Sequence, residues 1–375
     1  MTDHHGILTT EASIGGRTLR VVATSVIGLA AHASDADNAY FPVGELTLVT
    51  DIRAAIAKAG VAGTLAKSLN AIADECTPIV VVSRYAHGVG GTADADQLAS
   101  AIAAVTKLKT AESVTGVRPR ILGVPGQAGA GLHAALAAAA ATLNGMAYAR
   151  ATGATVANAL TYREGFSERE LMLLFPDWKN GADTVYSDAK ALGLRARIDI
   201  EQGFNKTLSN VAIRNVTGAS QGLTWDLQSP DTDVGLMNAN QITAGIHFNG
   251  FRYWGNRTCS DDPLFEFESA VRTAQVLKDT IAQGLAVYLD KPLHASLARD
   301  ILESINNLFR ALKREGKIIG ARAWIDAADN PQSQLAAGKL AISYDFTPCP
   351  PLEQLNLTQI ITDQYLADFT IQANA

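Results

Sequence analysis

A chain of 375 residues leaves room for two to three domains at about 150 residues each, and a chain of that size needs no disulfide or metal staple. Thirty-one Lys+Arg against 37 Asp+Glu give a net charge of −6, so there is no overall basic field to hold nucleic acid or an anionic membrane. Charged residues make up 18% of the chain, below the usual ~25%, and alanine fills the gap, so much of the surface should be something other than plain solvent interface.

Residues 1–22 are polar and Gly-punctuated, with two short extended runs, Ile7-Leu8-Thr9-Thr10 and Thr18-Leu19-Arg20-Val21-Val22, neither able to form a core alone. From Val21, short β-branched runs alternate with longer segments of helical period. The pattern predicts strands at 21–28, 46–49, 78–83, 120–124, 146–149 and 171–175, with helices at 51–59, 63–74, 94–110 and 130–144. That alternation argues for an α/β domain with a mostly parallel sheet, and a C-terminal α+β domain is expected after it.

Beyond Thr184 the pattern predicts a helix ending near Asn205, a strand at 211–216, a long loop over 218–240 and a strand at 242–248. Residues 251–260 show no simple periodicity, and a domain boundary is expected near residue 250. Helices are expected at 268–283 and 290–315, the second opened by Asp290 and Pro292 and closed by Gly316. Its residues Leu293, Leu297, Ile301, Ile305, Leu308 and Leu312 form one apolar stripe. A strand at 339–346, the break Pro348-Cys349-Pro350-Pro351, an extended run at 355–361 and a tail complete the chain.

Cys76, Cys259 and Cys349 have neither disulfide-framework nor zinc spacing and suit a reducing cytoplasm. The start, Met1-Thr2-Asp3-His4-His5, has no signal-peptide character, and the apolar stretch Ala134 to Ala141 is too short to span a bilayer. Gly218-Ala219-Ser220-Gln221-Gly222 matches GxSxG, but the strand-then-helix context of a nucleophile elbow is missing, so it reads as a turn. The loop Gly123 to Gly131 joins a strand to a helix and could offer N–H groups to a phosphate. Its glycines fit neither GxGxxG nor a P-loop, and a nucleotide- or cofactor-binding enzyme using it stands as the alternative reading. The scattered histidines form no metal pair, and Asp231/Asp233 and Asp261/Asp262 read as turn caps. No catalytic residue, cofactor or metal is expected. Arg310, Lys313, Arg314 and Lys317 cluster at the end of the 290–315 helix, more positive charge than its dipole calls for, and read as either a dipole complement or a patch for an acidic protein surface.

Several segments, taken in order, carry a family resemblance: His4-His5-Gly6, Val26-Ile27-Gly28-Leu29 with Phe41-Pro42, Trp225-Asp226-Leu227, Gly250-Phe251-Arg252-Tyr253-Trp254-Gly255-Asn256-Arg257-Thr258, Tyr344-Asp345-Phe346-Thr347-Pro348, and Thr362-Asp363-Gln364-Tyr365-Leu366. Over essentially its whole length the chain resembles the tail sheath proteins of P2-like contractile bacteriophages, R-type pyocins and related contractile injection systems. The resemblance implies a structural subunit of the virion tail or a tail-like particle, assembled in the bacterial host cytoplasm. Such subunits stack as hexameric rings around an inner tail tube, meet baseplate and tail terminator proteins, and contract to drive the tube through the host envelope, with no nucleic acid partner and no membrane insertion. It implies an N-terminal arm at 1–20, an outer domain at 21–250, a tube-facing domain at 251–351 and a C-terminal arm at 352–375. Ile7, Thr9, Leu19, Leu355, Leu357 and Ile360 would lie on strands lent to neighbouring subunits. Arg310, Lys313, Arg314 and Lys317 become candidates for contact with the tube, and Trp254 and Arg257 for an aromatic anchor and a hydrogen-bonding fork at the domain junction.

Overall fold

A computed structural model of the chain describes residues 18–88, 93–364 and 366. Its strands are β1 (Ile27–His32), β2 (Leu46–Val49), β3 (Val80–Tyr85), β4 (Ile121–Gly123), β5 (Met146–Arg150), β6 (Leu171–Phe175), β7 (Trp178–Asn180), β8 (Asp183–Val185), β9 (Gly218–Ala219), β10 (Ile242–His247), β11 (Phe251–Trp254), β12 (Ile318–Trp324) and β13 (Ser343–Pro348). The helices are α1 (Ile52–Ile56), α2 (Leu65–Ala73), α3 (Ala93–Lys107), α4 (Ala111–Thr115), α5 (Ala130–Leu143), α6 (Val156–Arg163), α7 (Ser187–Glu201), α8 (Asp233–Ala239), α9 (Glu268–Leu285), α10 (Ala295–Arg314) and α11 (Gln332–Ala336).

Eight strands form one sheet in the order β11-β10-β6-β5-β4-β1-β3-β2. The six inner strands run parallel, and β2 and β11 close the edges antiparallel. The central strands are apolar throughout because both faces are covered. Ile27, Leu29, Val80, Val82, Ile121, Met146 and Tyr148 enter the core shared with α1, α2 and α7. The intervening Val81, Leu122, Ala147, Leu171 and Leu173 enter the opposite core with α3, α5 and α8. Alanine has a use in both layers: Ala137, Ala139 and Ala140 of α5 are buried, and short side chains let a helix lie close to its neighbours. In α7 every residue from Ser187 to Ile198 is buried, and Gly193 lies so near Ile72 of α2 that an added Cβ would come within 2.8 Å of its Cα.

The mixed α/β class with a mostly parallel central sheet and a smaller C-terminal unit stands as expected. Several boundaries differ. The first strand starts at Ile27 rather than Val21, because the segment before it runs along α9, where the Val22 N–H donates to Thr280 Oγ1 at 3.4 Å. The expected strand 211–216 is reduced to a single bridge, Ala212 to Arg252, that covers the outer edge of β11. The expected loop 218–240 contains β9 and α8, whose N-cap Thr232 Oγ1 accepts from the Gly235 N–H at 3.0 Å. Residues 251–254, without visible periodicity, form β11 in register with β10, so the boundary expected near residue 250 falls inside the sheet.

Candidate assembly surfaces

The C-terminal unit is built on α9, α10 and the hairpin β12–β13. Leu297, Ile301, Ile305, Leu308 and Leu312 of α10 pack with Val276, Leu277 and Ile281 of α9 and with Ile318, and burial of each such side chain contributes ~1.5–3 kcal/mol. The stripe is as read except at its start. Asp290 lies in a loop at φ +65°, the true N-cap is His294, whose Nδ1 accepts from the Leu297 N–H at 3.1 Å, and Leu293 is left 38% exposed ahead of the helix. Strand β12 was not expected: Gly320 and Ala321 hide its alternation, and a register shift between Ile318 and Gly320 breaks the period further.

Strands β12 and β13 pair with each other and, among the described residues, with no third strand. The Ala323 peptide finds a substitute in Asn306 of α10, whose Oδ1 accepts from its N–H at 2.9 Å and whose Nδ2 donates to its carbonyl at 3.2 Å. A two-stranded sheet is marginal by itself, and away from the Asn306 cap its outer edges are open templates.

After Pro351 the chain leaves regular secondary structure and is exposed: Leu355 is 68%, Leu357 84% and Ile360 79% accessible, with little cover from the described residues. Ile7 and Thr9 lie outside the described residues. Leu19, expected on the same kind of lent strand, is instead buried in this chain's own C-terminal core, its side chain against Gly284 of α9. It belongs there because α9 has a glycine where the leucine needs space.

Of the two residues expected at the junction, Trp254 stands on β11 with its ring edge-on to Trp225 at 5.5 Å, half-buried against the α/β domain's own core. Arg257 does reach the C-terminal segment. Its Nε and Nη2 donate to the two Glu353 carboxylate oxygens at 2.9 and 2.7 Å, and its Nη1 pairs with Glu266. Glu353 is the main reason the guanidinium is held even more firmly protonated than usual.

A polar seam along α9 holds the two units together. Glu268, Arg272, Gln275 and Asp279 are spaced four, three and four residues apart, on one helical face. Glu268 accepts from Arg195 at 3.1 Å, from Thr207 and the Leu208 N–H at 3.0 Å, and from the Tyr148 hydroxyl. Arg272 pairs with Asp199, Gln275 Nε2 donates to the Gly145 carbonyl at 2.8 Å, and Asp279 pairs with Arg120 and accepts from Asn144 at 2.7 Å. The seam was not expected from the sequence, because its residues alternate with Ser269, Thr273, Lys278 and Thr280 along a mixed polar helix.

The four cations at the end of α10 divide. Arg310 is engaged by Glu303 and Asn307 on its own helix, and Lys317 by Glu315 at 2.8 Å. Lys313 and Arg314 are exposed and make no ion pair among the described residues.

The loop Gly123 to Gly131 follows β4 and opens α5, beside the point where the strand order reverses. At Gly126 the space is filled: a Cβ there, at φ +74°, would meet the Tyr186 ring at 2.6 Å and Thr64 Cγ2 at 2.8 Å. Residues of the GxSxG match lie in β9 and the turn after it, where the Ser220 N–H donates to the Asp177 carbonyl at 2.7 Å. Asp262 accepts from the Leu264 N–H at 2.9 Å and caps a turn, whereas Asp233 accepts from the Thr224 N–H at 2.9 Å and so ties the ends of a loop nine residues apart rather than capping a turn.

Residues 91–259 match the phage tail sheath protein central domain, and residues 260–362 match the phage tail sheath C-terminal domain. The two matches meet just after β11 and before α9. The chain is 46% identical to the tail sheath protein of Escherichia phage P2, over 99% of each chain, and 40% identical to the major tail sheath protein of Serratia phage KSP20, over 97% of each. In fold it resembles the contracted sheath of the PVC extracellular contractile injection system, with TM-score 0.75 and 16% identity over 97% of this chain and 99% of that one. The contracted helical sheath of the anti-feeding prophage gives TM-score 0.73 and 16% identity over 96% and 99% of the two chains. An open hairpin, an uncovered apolar tail and full-length similarity to sheath subunits all agree: the chain belongs to the phage tail sheath family.

Proposed function

We propose that this chain is the repeating structural subunit of a contractile tail sheath, stacked as hexameric rings around an inner tail tube and contracting to drive that tube through the host envelope. The observation that carries the reading is the pairing of need and supply in one chain. Among the described residues the hairpin β12–β13 has no third strand, and the exposed segment Leu355 to Ile361 has no sheet. A segment lent to the next copy gains main-chain hydrogen bonds and apolar cover together. Because donor and acceptor surfaces differ, the contact is head-to-tail and propagates into an open helix. Residues 1–17 and 352–375 serve as the arms in this reading, with the α/β unit outward and the C-terminal unit toward the tube.

Lys313 and Arg314 give a loose electrostatic grip on acidic tube residues. Screened surface pairs contribute ~0–1 kcal/mol each, enough in number to register sheath on tube and weak enough to break during contraction. Contraction itself draws on packing stored at assembly, so the subunit acts as a mechanical part rather than an enzyme. The similarity to sheaths solved in the contracted state, and to an anti-feeding prophage baseplate, supports self-assembly and a baseplate end; in this proposal a tail terminator protein closes the other end. The particle is built in the host cytoplasm and acts as a virion tail or tail-like device. Negative-stain microscopy of the overproduced chain tests the reading: striated tubes or six-fold stacks are expected, and a small uniform species contradicts it.

A further inference from the structure

We propose that Arg257 is a latch that sets where the C-terminal arm leaves the subunit. The inference rests on the arm reading above and adds the device that aims the arm.

The arm emerges at Pro350-Pro351, and two residues later Glu353 is gripped through both carboxylate oxygens. A bidentate guanidinium–carboxylate pair fixes direction as well as distance, which a lysine at the same position could not do. The latch is itself anchored. Glu266 holds the remaining guanidinium nitrogen, the Phe267 ring lies 5.7 Å from its centre, and a β-bridge joins Arg257 to Phe267, the N-cap residue of α9. The root of the C-terminal arm is therefore fixed to the N-terminal end of α9. The N-terminal segment is fixed at the other end, where Leu19 packs on Gly284. At 18 residues, α9 holds the two roots about 27 Å apart.

The pair is partly open to water, with side-chain exposures of 31% and 39%, so its effect on folding is small. What it changes is the volume searched by Leu355, Leu357 and Ile360 before they meet a neighbour's sheet. A held root raises the effective concentration of the arm at its target, and loss of the latch lowers it.

The test uses the full chain with Glu353→Gln, with Arg257→Lys, and with residues 352–375 removed, reading thermal unfolding of the subunit and the fraction that pellets as polymer. Glu353→Gln is expected to melt with the wild type yet to need about fivefold more protein to polymerise at low salt. That gap should close near 1 M salt, where screening shortens to about 3 Å. Arg257→Lys should fall between the two. If Glu353→Gln polymerises like the wild type while removal of 352–375 abolishes polymer, the latch is wrong and the arm reading stands. If the truncated chain polymerises normally, or the wild type does not polymerise, the arm reading itself fails.

Discussion

Arg195 of α7 donates through Nη1 to Glu268 of α9 at 3.1 Å, and both side chains are fully buried where the α/β unit meets the C-terminal unit. An ion pair so placed joins two units that have separate apolar cores, and each partner is costly without the other. Burial alone would raise the Glu268 carboxyl. Arg195, the Tyr148 hydroxyl, Arg272 and the Leu208 N–H outweigh burial and hold it below the usual carboxylate range.

Glu268→Gln is therefore expected to destabilise the subunit by about 3 kcal/mol, at the low end for a broken buried pair because Arg195 keeps one ion pair, to an Asp199 carboxylate that it shares with Arg272. A depressed folded value means that this stabilisation is complete above the unfolded carboxyl range and is lost as pH falls through the folded value. Urea unfolding as a function of pH checks it: the acid-side loss of stability should be shallower in the variant.

Asp188 has the opposite sign. It is fully buried at the start of α7, and burial, with Asp177 nearby, pushes its carboxyl up to about 7. Between the unfolded value and about 7 the folded state binds the extra proton, so this group removes stability as pH rises through that window. Asp188→Asn should leave stability at pH 4 nearly unchanged and raise it at pH 8 by ~2–4 kcal/mol, measured by urea unfolding at the two pH values.

Replacing a mid-helix glycine with alanine ordinarily gains up to about 1 kcal/mol. Gly193→Ala should do the reverse, because the new methyl would lie 2.8 Å from Ile72 Cα and 2.9 Å from its carbonyl oxygen, both backbone atoms of α2. A loss of about 1–3 kcal/mol is expected from overpacking. A melting temperature unchanged or raised would show that α2 yields without cost.

Elements of the fold differ in how far a sequence reveals them. Strands β2 and β6 coincide with the expected 46–49 and 171–175, because a run of apolar or β-branched residues bounded by turns needs no partner to be recognised. The α10 stripe was legible for the same reason of period. The junction was not: Glu268 finds Arg195 and Asp279 finds Arg120 across 73 and 159 residues, and nothing local separates such charges from a solvated helix face. Arg257 was singled out as a fork, yet Glu353 and Glu266 were not, since a fork does not name its acceptors. Leu19 read as arm because the glycine that receives it is far along the chain.

Reversing the charge of Lys313 and Arg314 together should lower the subunit's melting temperature by only a few degrees, since both are exposed and lose no more than their favourable place at the C-terminal end of α10. Sheath co-produced with its tube should then fail to register on it, giving empty polymer or bare tubes in electron micrographs. Normal sheathed tubes would remove these two residues from the contact.

The most direct test of strand lending is a helical reconstruction of the assembled chain at a resolution that traces the backbone. The account predicts that residues 355–361 of one copy lie hydrogen-bonded along the hairpin β12–β13 of another, with Glu353 still held by Arg257 at the root. A map in which each hairpin remains two-stranded, or in which residues 355–361 fold back on their own subunit, would contradict it.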